Sequence, residues 1–389
     1  MSTPTTGSST EASPTPPPED RPEEQTKHGP SGQGALLRQV ASSPAVVGLL
    51  AVLTALILSS ILILAADSEV RYTATYLLNR PGDFLHATAS TLSEAYSSLL
   101  RGAVFDWRAT TGVRMIRPIT DTLTNATPLI IAGLGMAVAF RAGLFNIGGQ
   151  GQMILGAITA CYVGIAWNLP PVAHLLLAVV GAGLGGLVWG GIAGVLKART
   201  GANEVIVTIM LNSIAAHLLS QVLSLKAFNG EGETGNRKSL TVADAAQYPS
   251  LAGDSFRLHA GFLLALLVAV AVWWLMERSR LGFQLRATGL NADAARTAGM
   301  SVPWVTSLVM MISGALCGLA ATAPVLGTQK SMDESVVGTI GFDAITVALL
   351  GRSRPLGTVL AGLLFGALRA GGTAMQAAPG THIKIVLVL

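Results

Sequence analysis

The strongest constraint on this chain is a succession of apolar runs, at about 126–144, 152–168, 172–196, 203–225, 259–277, 303–325, 338–351 and 356–374, divided by short polar breaks. A bilayer core takes roughly 20 apolar residues of helix. In hydrocarbon every backbone polar group must be satisfied within the protein, which favours helices. An earlier run, Pro44 to Ala66, carries no charge, and its length of roughly 34 Å as helix suffices for a span. A last run opens at 383 and is cut off at Leu389, so the final helix reads as incomplete. The expected fold is therefore all-α, a polytopic membrane bundle of about ten transmembrane helices covering 41–389.

Composition agrees. The chain is 51% hydrophobic and only 12% charged, with 44 glycines, whereas a soluble protein is charged at about a quarter of its positions. The formal charge of +4 gives no reason to expect nucleic-acid binding. Cys161 and Cys317 lie far apart in apolar runs and the histidines have no ligand spacing, so no metal site is expected. Residues 1–40, rich in Pro, Ser, Thr and Glu, lack the apolar surface to fold and read as a disordered tail. If that tail is cytoplasmic, Arg141, Lys197, Arg199, Arg278, Arg280, Arg286, Arg296, Arg352 and Arg354 all fall in inside loops, as the positive-inside rule asks. Residues 67–125 are mixed, with six arginines and a possible amphipathic helix near 84–105. They read as a long external segment or as a helix lying in the interface.

One stretch breaks the pattern within the apolar region. Residues 141–152, RAGLFNIGGQGQ, place four glycines, Asn146, Gln150 and Gln152 where the flanks are almost wholly apolar. Glycine-interrupted hydrophobic segments point to solute sites in transporters. The alternative is an ordinary cytoplasmic turn between two spans. Near 338–348, Gly341, Phe342 and Asp343 open a second short run that mirrors the first, consistent with a weak inverted repeat. Asp343 either lines a pathway or caps its helix.

Glu204, Thr208 and Asn212 recur every four residues and form one polar stripe on an apolar helix. Ser213, His217 and Ser220 widen it. Such a stripe either lines a cavity or bonds a neighbouring helix; Glu204, close to Lys197 and Arg199, reads as a cap or ion-pair partner. Gly186, Gly190 and Gly194 make a smooth face for close helix contact. The loop 277–303 carries helix signals of its own, with Asn291 as cap, Asp293 in the first turn and Gly299 as stop. A short helix there cannot cross a membrane, and suits docking to another protein or a bare surface position.

Four stretches resemble one family. FRAGLFNIGGQGQMILGA at 140–157, GANEVIVTIMLNSIA at 201–215, GFQLRATGLNADAARTAGM at 282–300 and GFDAITVALLGRSRPLGTVLAGLLFGAL at 341–368 are similar, in this order, to the integral-membrane permease subunits of ATP-binding-cassette importers for simple sugars, nucleosides and branched-chain amino acids. Gln150 stands where these permeases often carry Glu. The resemblance implies a cytoplasmic coupling helix within 282–300, with Arg286, Gly289, Asn291, Ala294, Ala295, Arg296 and Gly299 as its coupling residues. It also implies a partner permease (a second copy or a related chain), two cytoplasmic ABC ATPase subunits and an extracytoplasmic binding protein, in a prokaryotic plasma membrane. No phosphate-loop motif occurs in the sequence, so ATP would be hydrolysed by the partner subunit and no cofactor held by this chain. Asn146, Gln150, Gln152, Thr208, Asn212, Phe342 and Asp343 are the candidate substrate-pathway residues. The competing expectation is a stand-alone ion-coupled transporter or channel, with His217 or Asp343 as coupling residue.

Overall fold

The structure is a computed structural model describing residues 44–229, 237–253 and 255–377. The tail at 1–40, Glu231, Glu233 and the final run at 383–389 lie outside these residues. Contacts divide the chain after Leu58. Of the first unit, residues 44–58 are described, and they are helical; everything from Ser59 belongs to the second.

The α-helices of six residues or more are α1 (Pro44–Ala66), α2 (Ser68–Ala74), α3 (Pro81–Ala103), α4 (Gly112–Arg141), α5 (Gly149–Ala166), α6 (Pro171–Thr200), α7 (Glu204–Leu223), α8 (Gly261–Arg278), α9 (Arg280–Leu290), α10 (Ala292–Thr297), α11 (Val302–Ala320), α12 (Ile340–Leu350) and α13 (Pro355–Ala377). No sheet occurs among the described residues, which hold only the isolated bridges Lys238–Asp333 and Ser250–His259. The all-α membrane bundle expected from the sequence is what forms. Six helices are long and apolar enough to cross a membrane, or seven if the pair bent by 79° at Asp67 counts as one span. The expected ten is not reached among the described residues. The shortfall includes α12, whose 11 residues reach only about 16 Å.

The bundle is built around α4. Every residue from Ala126 to Ala139 is buried, as befits a helix apolar on all sides. This helix starts at Gly112, well before the expected 126. Its first turns are amphipathic: Pro118, Thr120 and Thr124 are buried while Arg114 and Arg117 face outward. The amphipathic helix expected near 84–105 is α3.

Packing beside α4 depends on small residues. A methyl group at Gly186 of α6 would collide with the Gly314 carbonyl of α11, and one at Gly190 would lie 3.0 Å from Gly314 Cα. Backbones can therefore approach where glycines face one another, as the 186–190–194 spacing predicts.

The basic loops gather on one face. Arg141 bonds Glu277 at 2.9 Å and Lys197 bonds Glu204 at 2.6 Å. On the opposite face residues 239–248 run antiparallel to 326–332, through Ser239 N to Met332 O, Val242 N to Lys330 O and Tyr248 N to Leu326 O.

Candidate functional site

The break at 142–148 is real: α4 ends at Arg141 and α5 begins at Gly149. Non-helical backbone between apolar helices must find partners, and this stretch finds them in side chains. Asn212 of α7 accepts from Gly151 N at 2.8 Å and donates to Ile147 O at 2.9 Å. Asn146 donates to Gln152 Oε1 at 3.0 Å and to Ser313 Oγ at 2.9 Å, and accepts from Gly148 N at 2.8 Å. Asn146, Gln152 and Ser313 are all but sealed from solvent. Thr208 is buried too, its hydroxyl bonded to Glu204 O and Val205 O of its own helix. Glu204 has the ion-pair role its position suggested.

The second break stands against the first. Gln150 donates to Gly338 O at 2.7 Å and accepts from Gly341 N at 3.2 Å, so the N-termini of α5 and α12 meet. A Cβ at Gly341 would lie 2.5 Å from Gln150 N, a contact only glycine permits. Phe342 is half-exposed. Asp343 is ion-paired with Arg369 of α13; Arg369 also donates to Thr339 Oγ1 at 2.8 Å, which donates to Asp343 at 3.0 Å. Sequence reading missed Arg369, although a single cation within the apolar run 356–374 is itself a signal of function.

Beside this junction lies a cavity of about 390 Å³ with mixed polar and apolar walls, within the range of small-molecule sites. Asn125 of α4, Thr328 and Gln329 at the end of a π-helical turn over Ala323–Thr328, Ser335, Thr339 and Arg369 supply its polar atoms. π-helical turns inside membrane helices recur at functional sites. None of the seven pathway candidates lines this cavity directly. Gln150 and Asp343 instead hold Gly338, Thr339 and Arg369, which do.

Residues 119–389 match the family model described as the branched-chain amino acid transport system / permease component. The chain belongs to this permease family. It is 40% identical over 269 residues to the guanosine ABC transporter permease protein of Bacillus subtilis, covering 69% of this chain and 77% of that protein. It is 38% identical over 281 residues to the glucose ABC transporter permease protein of Haloferax volcanii, covering 70% and 73%. It is 34% identical over 280 residues to the nucleoside ABC transporter permease protein of Lactococcus lactis subsp. cremoris, covering 69% and 77%. The permease is thus a multi-pass membrane component of an ABC transport system.

In the permease the 277–303 loop forms two helices where sequence reading expected one. Ser279 caps α9, accepting from Gly282 N at 2.9 Å. Asn291 caps α10 by accepting from Asp293 N and Ala294 N, both at 3.0 Å, and Gly299 ends it with φ of 81°. Arg296 pairs with Asp293 at 2.9 Å, Ala294 is exposed and Ala295 is buried. One guanidinium nitrogen of Arg286 is buried without a partner among the described residues. Leu290, the last residue of α9, is 88% exposed. Gly289 packs so closely on Arg141 and Ala142 that a Cβ there would strike the Arg141 carbonyl. The loop therefore bears directly on the end of α4 where the first break begins.

The remaining candidates scatter. His217 and Ser213 are exposed on α7, and Ser220 accepts from Arg237. Arg237 also bonds Glu334 at 3.0 Å and holds its carboxyl below the usual range. Cys161 and Cys317 are buried free thiols that pack the bundle.

Proposed function

We propose that the permease translocates a neutral polar solute, a nucleoside or a simple sugar, by alternating access, with ATP hydrolysed by cytoplasmic partner subunits. The observation that carries this reading is the mixed-polarity cavity beside the two broken helices, bordered by Asn125, Gln329, Thr339 and Arg369. Hydroxyls and amides of this kind suit a base or polyhydroxylated solute. The relatives named for guanosine, nucleoside and glucose transport support the same solute classes.

In this reading the seven pathway candidates divide into two groups. Gln150, Asp343 and Phe342 border the moving junction, whereas Asn146, Gln152 and Asn212 brace the first break behind it and Thr208 packs beside Gly148. The coupling end is Leu290 with α10, including Ala294 and Arg296, facing a cleft of the ATPase on the cytoplasmic side. Arg286, Gly289, Asn291, Ala295 and Gly299 hold its shape. The exposed Ser213 and His217 on a membrane helix support contact with a second permease. An extracytoplasmic binding protein would deliver solute to the opposite face, and the tail at 1–40 would lie in the cytoplasm.

The test is uptake by the complex reconstituted in proteoliposomes. Asn125→Ala and Gln329→Ala should each raise the half-saturating solute concentration and lower solute-stimulated ATPase activity. Unchanged uptake and stimulation in both variants would reject the cavity as the solute site. Uptake that continues after removal of the ATPase would favour a stand-alone ion-coupled transporter.

A further inference from the structure

We infer that the cleft between the end of α3, the start of α4 and the 255–260 segment binds the phosphate of an anionic phospholipid. The cavity is about 690 Å³ and sits on the face opposite the basic loops, one turn along α13 from Arg369, bordered by Ala370 and Thr373. Four guanidinium groups from three elements converge on it: Arg101 of α3, Arg114 and Arg117 of α4, and Arg257 of the loop. Among the described residues lining it, Asp106 and Asp121 oppose them.

The internal bonds leave cationic capacity free. Arg117 lies 3.7 Å from Asp121. Asp106 accepts from Arg108 N at 3.1 Å. Arg101 donates to Ser98 Oγ at 2.8 Å and to Ser97 O at 3.3 Å, neither of them an anion. Arg114 and Arg257 make no hydrogen bond or salt bridge to any described residue. Planar guanidinium groups match phosphate oxygens in pairs, and a cluster of them in a membrane protein at the bilayer rim is a headgroup site by its chemistry.

The surroundings select a lipid over a free anion. Leu100 at the end of α3, Val104, Phe105 and Trp107 just beyond it, and Val113 and Ile116 at the start of α4 are exposed, and in the chain they flank the lining residues Arg101, Asp106, Arg114 and Arg117. Apolar side chains with a tryptophan at the edge of a membrane span belong at the bilayer interface, beside acyl chains. A zwitterionic headgroup would bring its own ammonium into a cleft already rich in cations, so the anionic lipid is preferred.

The full chain is purified and exposed to mixed micelles with equal dioleoylphosphatidylglycerol and dioleoylphosphatidylcholine, and retained lipid is read by native mass spectrometry. The anionic lipid should be retained preferentially. Arg114→Gln combined with Arg257→Gln should weaken that retention by about tenfold or more, while the paired Lys replacements keep most of it. Neither residue hydrogen-bonds or ion-pairs with a described side chain, and Arg257 has only a through-space attraction to Asp121, so the variants should elute as the wild type does. Arg352→Gln combined with Arg354→Gln, on the other face, should change nothing. Equal retention of the two lipids, or retention indifferent to the Gln pair, overturns the inference. Displacement by inorganic phosphate at matching concentration assigns the cleft to free anions and overturns it too. Wild-type lipid retention with loss of binding-protein-dependent uptake in the Gln pair would place a protein there instead.

Discussion

The side-chain amide of Gln150 closes on the backbone around Gly341, accepting from its N–H at 3.2 Å while donating to Gly338 O at 2.7 Å. Two helix N-termini that would otherwise face each other with unsatisfied donors and like-signed dipoles are joined by one side chain. The junction is polar, buried in part, and flanked by glycine on both sides.

Removing that amide should loosen the junction. Gln150→Leu leaves the Gly341 N–H and Gly338 O unpaired and should cost about 1–3 kcal/mol in thermal unfolding of the detergent-solubilised protein. Gln150→Glu still accepts from Gly341, and a carboxylate between two helix N-termini is favoured, so it should recover at least half of the lost stability. Equal losses in both variants would show that the bond to Gly338 dominates.

Asn212 and Thr208 share a helix face but should behave differently. Asn212→Ala breaks two bonds to the 147–151 backbone, Gly151 N and Ile147 O, and is expected to destabilise by about 2 kcal/mol. Thr208→Ala loses only bonds to its own helix carbonyls and should cost less than about 1 kcal/mol. The measurement is chemical or thermal unfolding of the two variants side by side.

Asp343 and Arg369 are coupled charges within the bundle, each about a third exposed. Neutralising either alone strands the other, whereas removing both leaves no unpaired charge. Partial exposure holds the coupling to on the order of 1 kcal/mol. A double-mutant cycle with Asp343→Asn and Arg369→Gln should show the double variant more stable than the sum of the single losses predicts.

Leu290, 88% exposed, can be changed without disturbing the fold. Leu290→Asp should leave unfolding within about 0.5 kcal/mol of wild type yet reduce co-purification of the ATPase. Full retention of the ATPase would remove this residue from the docking surface.

His259 stacks on Tyr248 with ring centroids 5.4 Å apart and is buried. Its Nδ1 accepts from Gly261 N and its Nε2 has no partner among the described residues. Burial lowers its pKa to about 4 from 6.5. The unfolded chain therefore binds the extra proton first, and stability present above pH 6.5 is lost as pH falls towards 4. The contribution is about 3 kcal/mol in full. It should appear as a fall in unfolding temperature over that window that is absent in His259→Asn.

The elements were legible wherever the information is local. Asn291 and Gly299 announce the ends of α10 because capping bonds reach two or three residues along the chain. The 186–190–194 spacing identifies a close-packing face because helical periodicity alone puts those glycines in line. The start of α4 was not legible, since an amphipathic turn with Arg114 and Arg117 outward looks like a loop to a hydropathy reading. Arg369 could have been flagged as a charge in a span, but its partner Asp343 lies on another helix 26 positions away.

The sequence by itself determined that this chain crosses a membrane as helices, where its helices break, and which face carries the positive loops. Apolar length, glycine placement and charge distribution act along the chain and leave no other arrangement of backbone hydrogen bonds in lipid. Only the tertiary structure decided what the polar side chains do. Asn146, Gln152 and Asn212 bond one another or the backbone at a break, Gln150 reaches 191 positions to Gly341, and the solute-sized cavity forms from residues the stripe did not contain. An amide or hydroxyl in an apolar bundle must bond whatever packing brings beside it, and that neighbour is set by the fold.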